Sequence, residues 1–311
     1  LQQWQGDALE SFLKGFLASA GEADVRRFLE EARPDVILHT AALSDTGYCA
    51  QHPEEAYRAN VELPVWVAKA ARETGAKLVA FSSDQVYAGV TQDGPLPETL
   101  ELHPANRYGQ YKLEAEQRVL DLCPDSVHLR ASWMYDLPGY GLPIRGNLPL
   151  NLVRAALDGR PVQFSRNDHR GVTYVRAVIT NLQKAVELPG GVYNFGSGNA
   201  EDMVRTAQQF AEALGVRVDI EPADWSRNLV MDGAKAEASG IVFASTQQFK
   251  GNEYEVLGVA RHSETEEELV VYRPLYGEGG LWVRPVSMWN ELVTRDGKTQ
   301  PRFVYIGEDA R

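Results

Sequence analysis

The chain has 311 residues, 44% hydrophobic and 24% charged, with 31 basic against 43 acidic side chains and a net charge of −12. Its length allows about two domains of roughly 150 residues each, its composition is that of an ordinary globular chain, and its acidic balance argues against a nucleic-acid partner, which needs clustered Lys and Arg. Two cysteines, Cys49 and Cys123, cannot build a disulfide framework, so a cytoplasmic location is expected; no apolar run reaches the roughly 20 residues that span a bilayer, so no membrane partner is expected either.

Residue 1 is Leu rather than Met, from which a processed chain, or one that begins inside a longer one, is expected. Leu9, Phe12, Leu13, Phe16 and Leu17 repeat at helical spacing and predict a helix over residues 8–19, with Asp7 and Glu10 placed like a capping box and Gly21 as a stop. Val25, Phe28, Leu29 and Ala32 predict a second helix, ended by Pro34. Asp35 to Ala42 is a short apolar run of the kind found in a strand buried on both faces of a parallel sheet. Pro53 to Thr74 reads as a helix with Pro53 near its first turn, a kink at Pro64 and a stop at Gly75. A strand follows at Lys77 to Ser83, a helix at Tyr108 to Leu120 and a strand at Ser126 to Ser132.

After Tyr135 comes a Gly- and Pro-rich stretch, Leu137 to Pro149, then a helix at Leu150 to Asp158. A strand at Gly191 to Phe195 precedes a helix over Glu201 to Leu214. This alternation of strand and helix predicts an α/β unit with a parallel sheet. From about Phe249 the pattern changes to four short β-like runs, Tyr254 to His262, Leu269 to Tyr276, Leu281 to Met288 and Phe303 to Ile306. They predict a small all-β domain, with the aromatic residues Tyr272, Tyr276, Trp282 and Trp289 in its core. The expected domains are therefore 1–248 and 249–311. Neither offers a basic face, since the second holds eight basic and eleven acidic groups.

Tyr108 and Lys112 are four apart on a predicted helix and share one face. Ser83 ends a strand, where a parallel sheet presents its ligand-facing groups. A neighbouring ammonium favours the phenolate and is expected to lower the tyrosine's pKa. A tyrosine so placed can pass a proton to a carbonyl oxygen while hydride moves at the adjacent carbon, and the serine hydroxyl can hold the same oxygen. Spacing alone fits equally well an exposed helix with a Tyr and a Lys on its wet side. The context adds specificity: a strand ending Phe81-Ser-Ser-Asp-Gln-Val-Tyr87, a loop, then Asn106-Arg-Tyr-Gly-Gln-Tyr-Lys112 opening a helix.

These segments, with Pro34-Asp-Val-Ile-Leu-His-Thr-Ala-Ala42, Asn60 and Leu129-Arg-Ala-Ser-Trp-Met-Tyr135, resemble the extended short-chain dehydrogenase/reductases and, within them, the dTDP-4-dehydrorhamnose reductases. Weaker echoes follow at Asn167 to Thr173 and Arg227 to Asp232, so the resemblance covers roughly residues 24–248. It implies a Rossmann-like fold and the reduction of a 4-keto nucleotide sugar by NADPH or NADH. Tyr108 would be the acid, Lys112 would bind the nicotinamide ribose, and Ser83 would orient the keto oxygen. Ala41, Ala42 and Asn60 would line the cofactor, and Asp84, Trp133 and Tyr135 would face the substrate. A homodimer is allowed.

The family's first strand and Gly-x-x-Gly-x-x-Gly phosphate loop have no counterpart here: Gly6, Gly15 and Gly21 have the wrong spacing. The expected sheet therefore lacks its first strand, and the Val36 to Thr40 strand is expected at an edge. An epimerase or dehydratase of the same fold is a second reading, although Gln85 after Asp84 favours simple reduction over dehydration. A non-catalytic binding or regulatory subunit is a third. Asp84, Asp168 and Asp232 are placed to line the site or to cap, and capping is the expectation for each; Asp168-His169 reads as a polar loop pair. No His-x-x-x-His or Cys-x-x-Cys spacing marks a metal site, and nothing marks Cys49 as a nucleophile. The run from Phe249 to Pro285 resembles a small bacterial family of unknown function, and Arg261, His262, Tyr272, Arg273 and Arg284 are its candidate ligand groups.

Overall fold

The structure, a computed structural model, describes residues 21–136, 146–243, 254–274, 281–289, 292–295 and 298–301. The expected helix over 8–19 with Gly6 and Gly15, most of the Leu137 to Pro149 stretch, Tyr276 and the run Phe303 to Ile306 lie outside the described residues. Contacts divide the chain into two compact units, 1–249 and 250–311.

The first unit is built on a four-stranded sheet, all parallel: β1 (Val36–His39), β2 (Lys77–Ser83), β3 (Val127–Ala131) and, reached after several further elements, β8 (Gly191–Phe195). Both faces of β2 and β3 are covered, which explains their nearly continuous apolar sequences. Leu78 packs on one side with Val65, Ala68, Ala71 and Val119, whereas its neighbour Val79 packs on the other with Leu129, Val178, Ala185 and Phe195. The expectation of burial on both faces fails for β1. This strand lies at the edge of the described sheet, and Val36 and Leu38 are 37% and 45% exposed while Ile37 and His39 turn to the core side.

The helix α1 (Glu22–Ala32) buries Val25 and Leu29 and ends on Arg33 in the left-handed conformation just before Pro34; Phe28, at 61% exposure, faces solvent. The helical run from Pro53 has a more specific interruption than a kink. After α2 (Thr46–Gln51) and α3 (Pro53–Tyr57), residues Arg58–Glu62 form a π-turn in which the Leu63 N–H reaches back five residues to the Arg58 carbonyl. The next helix, α4 (Leu63–Thr74), carries Pro64 in its first turn, where the missing N–H costs least. The widened turn puts Asn60 at its centre, fully buried.

Beyond β3 the chain forms a second lobe of three parallel strand pairs. These join β4 (Trp133–Tyr135) to β7 (Val172–Tyr174), β5 (Val162–Ser165) to β9 (Ile220–Ala223), and β6 (Asp168–Arg170) to β10 (Arg227–Leu229). Asp168 and His169 are therefore strand residues, not a loop pair. Leu148, Leu152, Met203 and Phe210 fill the space between these pairs and their helices. The helix expected from Leu150 begins at Leu148, because Asn147 caps it through the Leu150 N–H (3.1 Å).

The second unit contains an antiparallel sheet of β11 (Tyr254–Arg261), β12 (Glu268–Pro274) and β13 (Trp282–Pro285), and a separate hairpin of β14 (Leu292–Arg295) with β15 (Lys298–Pro301). Val286–Trp289, expected to continue a strand, forms one helical turn that brings Trp289 to 5.1 Å from the Tyr272 ring. Tyr272 is buried as expected, but Trp282 is 61% exposed and is not a core residue.

Candidate active site

The site assembles where β2 and β3 end. Register places Ser83 beside Ala131, and Ala131 beside Phe195, so the carboxyl ends of three strands form one rim. Immediately after Ser83 the chain turns through a 3-10 segment, Asp84–Tyr87. Helix α5 (Arg107–Leu122) lies against that turn and starts at Asn106. The Asn106 side chain accepts from the Gly109 N–H (2.8 Å) and donates to Gln85 Oε1 (3.1 Å), which ties the helix start to the turn. Contact here is close enough to require glycine: a Cβ on Gly109 would stand 2.2 Å from the Gln85 carbonyl oxygen.

This approach brings Tyr108 onto Ser83. Tyr108 is only 5% exposed, and the Ser83 hydroxyl is near enough to act on its phenol. Burial holds that phenol well above the ordinary value, with Ser83 opposing it and Asp84 and Cys49 pushing the same way as burial. Lys112, one turn on, donates to the Phe81 carbonyl (2.8 Å) and sits 5.9 Å from the centre of the Tyr108 ring. Its burial lowers its pKa to about 8, against the pull of Glu116 and Cys49. The expected lowering of the tyrosine by the lysine is therefore overturned: desolvation dominates and the phenol is held neutral. A neutral phenol is the form that can give up a proton.

Ser83 Oγ donates to Asp84 Oδ1 (3.2 Å) and accepts from the Gln85 N–H (3.2 Å). Asp84 is buried and does not act as a simple cap. Its other oxygen takes a hydrogen bond from Arg170 Nη2 (2.7 Å), and the Arg170 guanidinium lies 5.0 Å over the Trp133 ring. Asp168 likewise forms an ion pair, with Arg227 (2.5 Å), and accepts from Trp225 Nε1 (3.2 Å). Of the three aspartates only Asp232 makes a bond of that local kind, accepting from the Ala234 N–H (2.9 Å) from one place before the N-cap, Gly233.

The remaining expected residues divide. Ala41 and Ala42 are half-buried in the loop that follows β1. Asn60 shapes that loop from below: Oδ1 accepts from the Leu43 N–H (3.2 Å) and Nδ2 donates to the Leu43 carbonyl (2.9 Å). Both ends of its amide are thus committed to backbone. Trp133 is half-buried beside Arg170, whereas the Tyr135 ring belongs to the second lobe's core, stacked on Tyr174 at 5.4 Å and edge-on to Phe210 at 5.2 Å. Gln85, expected to favour reduction, joins Asp84 to Asn106, whereas Arg170 and Glu116 are not anticipated by the sequence. Glu116 has a signal, a helical turn beyond Lys112; Arg170 has none, being 86 residues from its partner.

A polar layer lies beneath these groups. Glu116, Arg130, Tyr87 and Asn194 are buried and joined by hydrogen bonds. His39 and His128, also buried, are pushed down to about 3 and about 4, each mainly by desolvation. No group of three or more His, Cys, Asp or Glu among the described residues is placed to hold a metal ion, and no described helix is long and apolar enough to cross a membrane.

The chain is similar to curated and solved proteins over its first unit. A dTDP-4-dehydrorhamnose reductase from Salmonella typhimurium is 39% identical over 126 residues, 40% of this chain, and the chain spans only 41% of that relative's length. One from Streptomyces griseus is 28% identical over 76% of this chain and 81% of its own length. In structure, a dTDP-4-dehydrorhamnose reductase from Bacillus anthracis in complex with NADP superposes with a TM-score of 0.66 at 22% identity, covering 73% of this chain and 81% of that one. Residues 247–305 match a family described as a protein of unknown function, DUF1653. Residues 14–248 match the RmlD substrate binding domain, and the chain belongs to that family.

Proposed function

We propose that the first unit reduces a 4-keto nucleotide sugar with NADPH or NADH, as a dTDP-4-dehydrorhamnose reductase does. The observation that carries this reading is the buried, neutral Tyr108 beside Ser83 at the end of a parallel strand, with Lys112 one turn further along the helix. The nicotinamide end of a dinucleotide fits this chain, because Lys112 spends one of its three N–H donors on Phe81 and keeps the others for ribose hydroxyls. No Gly-rich loop following a strand is found among the described residues to receive the pyrophosphate.

When bound there, a dihydronicotinamide would supply the hydride for the keto carbon. Tyr108 gives its phenolic proton to the keto oxygen, so that with the hydride the C=O becomes CH–OH and a tyrosinate is left to be reprotonated. Ser83 turns its hydroxyl from Asp84 to the same oxygen and holds it for the transfer. Lys112 steadies the tyrosinate by its charge. The single amide Gln85, bonded to Asp84 and Asn106, supports reduction over dehydration, which calls for a second acid at that place.

Free Cys49 and Cys123 support a cytoplasmic setting, and the net charge of −12 supports the absence of a nucleic-acid partner; a homodimer is read by sedimentation. The enzymatic test follows NADPH oxidation with a dTDP-4-keto-6-deoxy sugar. Tyr108→Phe is expected to lower kcat by at least about 100-fold. A variant as fast as the parent, or a parent that leaves both NADPH and NADH unoxidised, would overturn the assignment.

A further inference from the structure

We propose that Glu116 is a positioning residue for the reaction, the buried carboxylate that holds Lys112 in its ammonium form. The proposal rests on the reading of Tyr108 and Lys112 given above. Glu116 lies on α5 four residues beyond Lys112, on the same buried side of the helix, and is 2% exposed. Its carboxylate accepts from Arg130 through Nη2 at 2.7 Å and Nε at 3.0 Å, and from Ser82 Oγ at 2.5 Å. Ser82 immediately precedes Ser83, so Glu116 also pins the strand end that carries Ser83 to the helix that carries Tyr108 and Lys112.

The groups around Lys112 make the carboxylate decisive. The groups whose charge states interact with Lys112 are His39 from β1, His128 from β3, the Cys49 thiol from α2 and Glu116 on its own helix, where the Tyr108 ring also lies 5.9 Å away; Arg130 is bonded to Glu116. His39 and His128 are neutral, the thiol and phenol keep their protons, and Arg130 is a cation. Glu116 is the ionised carboxylate among the groups that act on the lysine. One helical turn from Lys112, its charge opposes the desolvation of the buried ammonium, which remains the larger effect; its partner Arg130, at 2.7 Å, is a like charge to the lysine and by Coulomb's law favours the amine.

This arrangement makes opposite predictions for the two halves of one ion pair. In Glu116→Gln, Arg130 stays buried as an uncompensated cation and the Lys112 titration moves down by about one unit, a tenfold loss in the ammonium-to-amine ratio. In Arg130→Gln, the carboxylate is left uncompensated and the titration moves up by a similar amount. Ser82→Ala, which removes a neutral donor, leaves it in place. The readout is the side-chain resonance of Lys112 in protein carrying 13C-labelled lysine, assigned with Lys112→Met and followed against pH without substrate or cofactor. A structural role alone predicts that both variants move the lysine in the same direction or not at all, and either result overturns the proposal. Where one variant fails to fold, the sign in the other decides. The titration needs no turnover, so loss of the reductase reading would appear in the NADPH assay and leave this result intact.

Discussion

Replacing Gly109 with alanine sets two effects of opposite sign against each other. Gly109 is a helical residue of α5, and helix propensity alone favours Ala over Gly by about 1 kcal/mol. The added Cβ, however, would fall 2.2 Å from the Gln85 carbonyl oxygen and 2.9 Å from the Pro104 Cβ. Neither neighbour is the free end of a flexible side chain, so relief requires the helix start to move from the 3-10 turn by about 1 Å. Overpacking of that kind costs about 1–3 kcal/mol, and the strain outweighs the propensity. The larger effect is on chemistry, because Tyr108 is adjacent and its contact with Ser83 is lost as the helix withdraws; a misplacement of about 1 Å costs on the order of 100-fold in rate. Urea denaturation and NADPH-coupled turnover measure the two effects on one preparation. Gly198→Ala, where an added Cβ meets nothing within 4 Å, is the matched control and should change neither. A Gly109→Ala protein at least as stable as the parent, with undiminished kcat, would refute the close-approach reasoning.

Asn60→Ala removes both bonds to Leu43, leaving the Leu43 N–H without this partner and its carbonyl with the Cys49 thiol, at a cost of about 1–3 kcal/mol; since the loop carries Ala41 and Ala42, KM for the nicotinamide nucleotide should rise more than kcat falls in steady-state assays. Arg170→Met leaves the Asp84 carboxylate buried and unpaired, which should lower stability by about 3–5 kcal/mol in the same urea titration; a loss below 1 kcal/mol would contradict the buried pair. Burial lowers His39 to about 3 and His128 to about 4, against roughly 6.5 when unfolded. The unfolded chain therefore binds more protons than the folded one through that window. Stability from these two residues is complete above about pH 6.5 and falls as the pH drops toward 4, by up to about 1.4 kcal/mol per unit for each histidine. A urea midpoint that stays level from pH 7 to 4.5 would contradict this.

The parts of the fold that depend on local pattern were legible in the sequence. Apolar runs located β2, β3 and β8 to within a residue or two at each end, and Asn106 to Lys112 located the start of α5. Features set by distant partners were not. Asp84 and Asp168 resembled caps because caps are local, whereas Arg170 and Arg227 lie 86 and 59 residues away. The edge place of β1 is legible from the missing strand and phosphate loop; the exposure of Val36 and Leu38 is not, because it depends on what packs over that face and not on the strand's own apolar composition. For Tyr108 and Lys112 the spacing correctly put the two groups together, yet it carried no measure of desolvation, and desolvation decides which form the phenol takes. Tyr135 was misjudged for a related reason: a tyrosine at a strand end suits a cleft or a core equally, and only the packing of Tyr174 and Phe210 around it distinguishes them.

The π-turn at Arg58–Glu62 bears on how this chain can change in length. A turn closed over five residues contains one residue more than the α-helical turn it replaces. Deleting one residue there would leave an unbroken α-helix, a change that looks benign by propensity. Because the extra residue is held within a single turn, the helix left behind keeps α3 and α4 close to their present relative rotation, whereas the same deletion inside α4 would rotate its two ends by about 100° relative to each other. The cost at the π-turn is local and falls on Asn60, which the widened turn holds against Leu43. Among natural variants of this chain, single-residue gaps should therefore be tolerated better at residues 58–62 than inside α4, a pattern that a library of single-codon deletions scored for soluble expression can read directly.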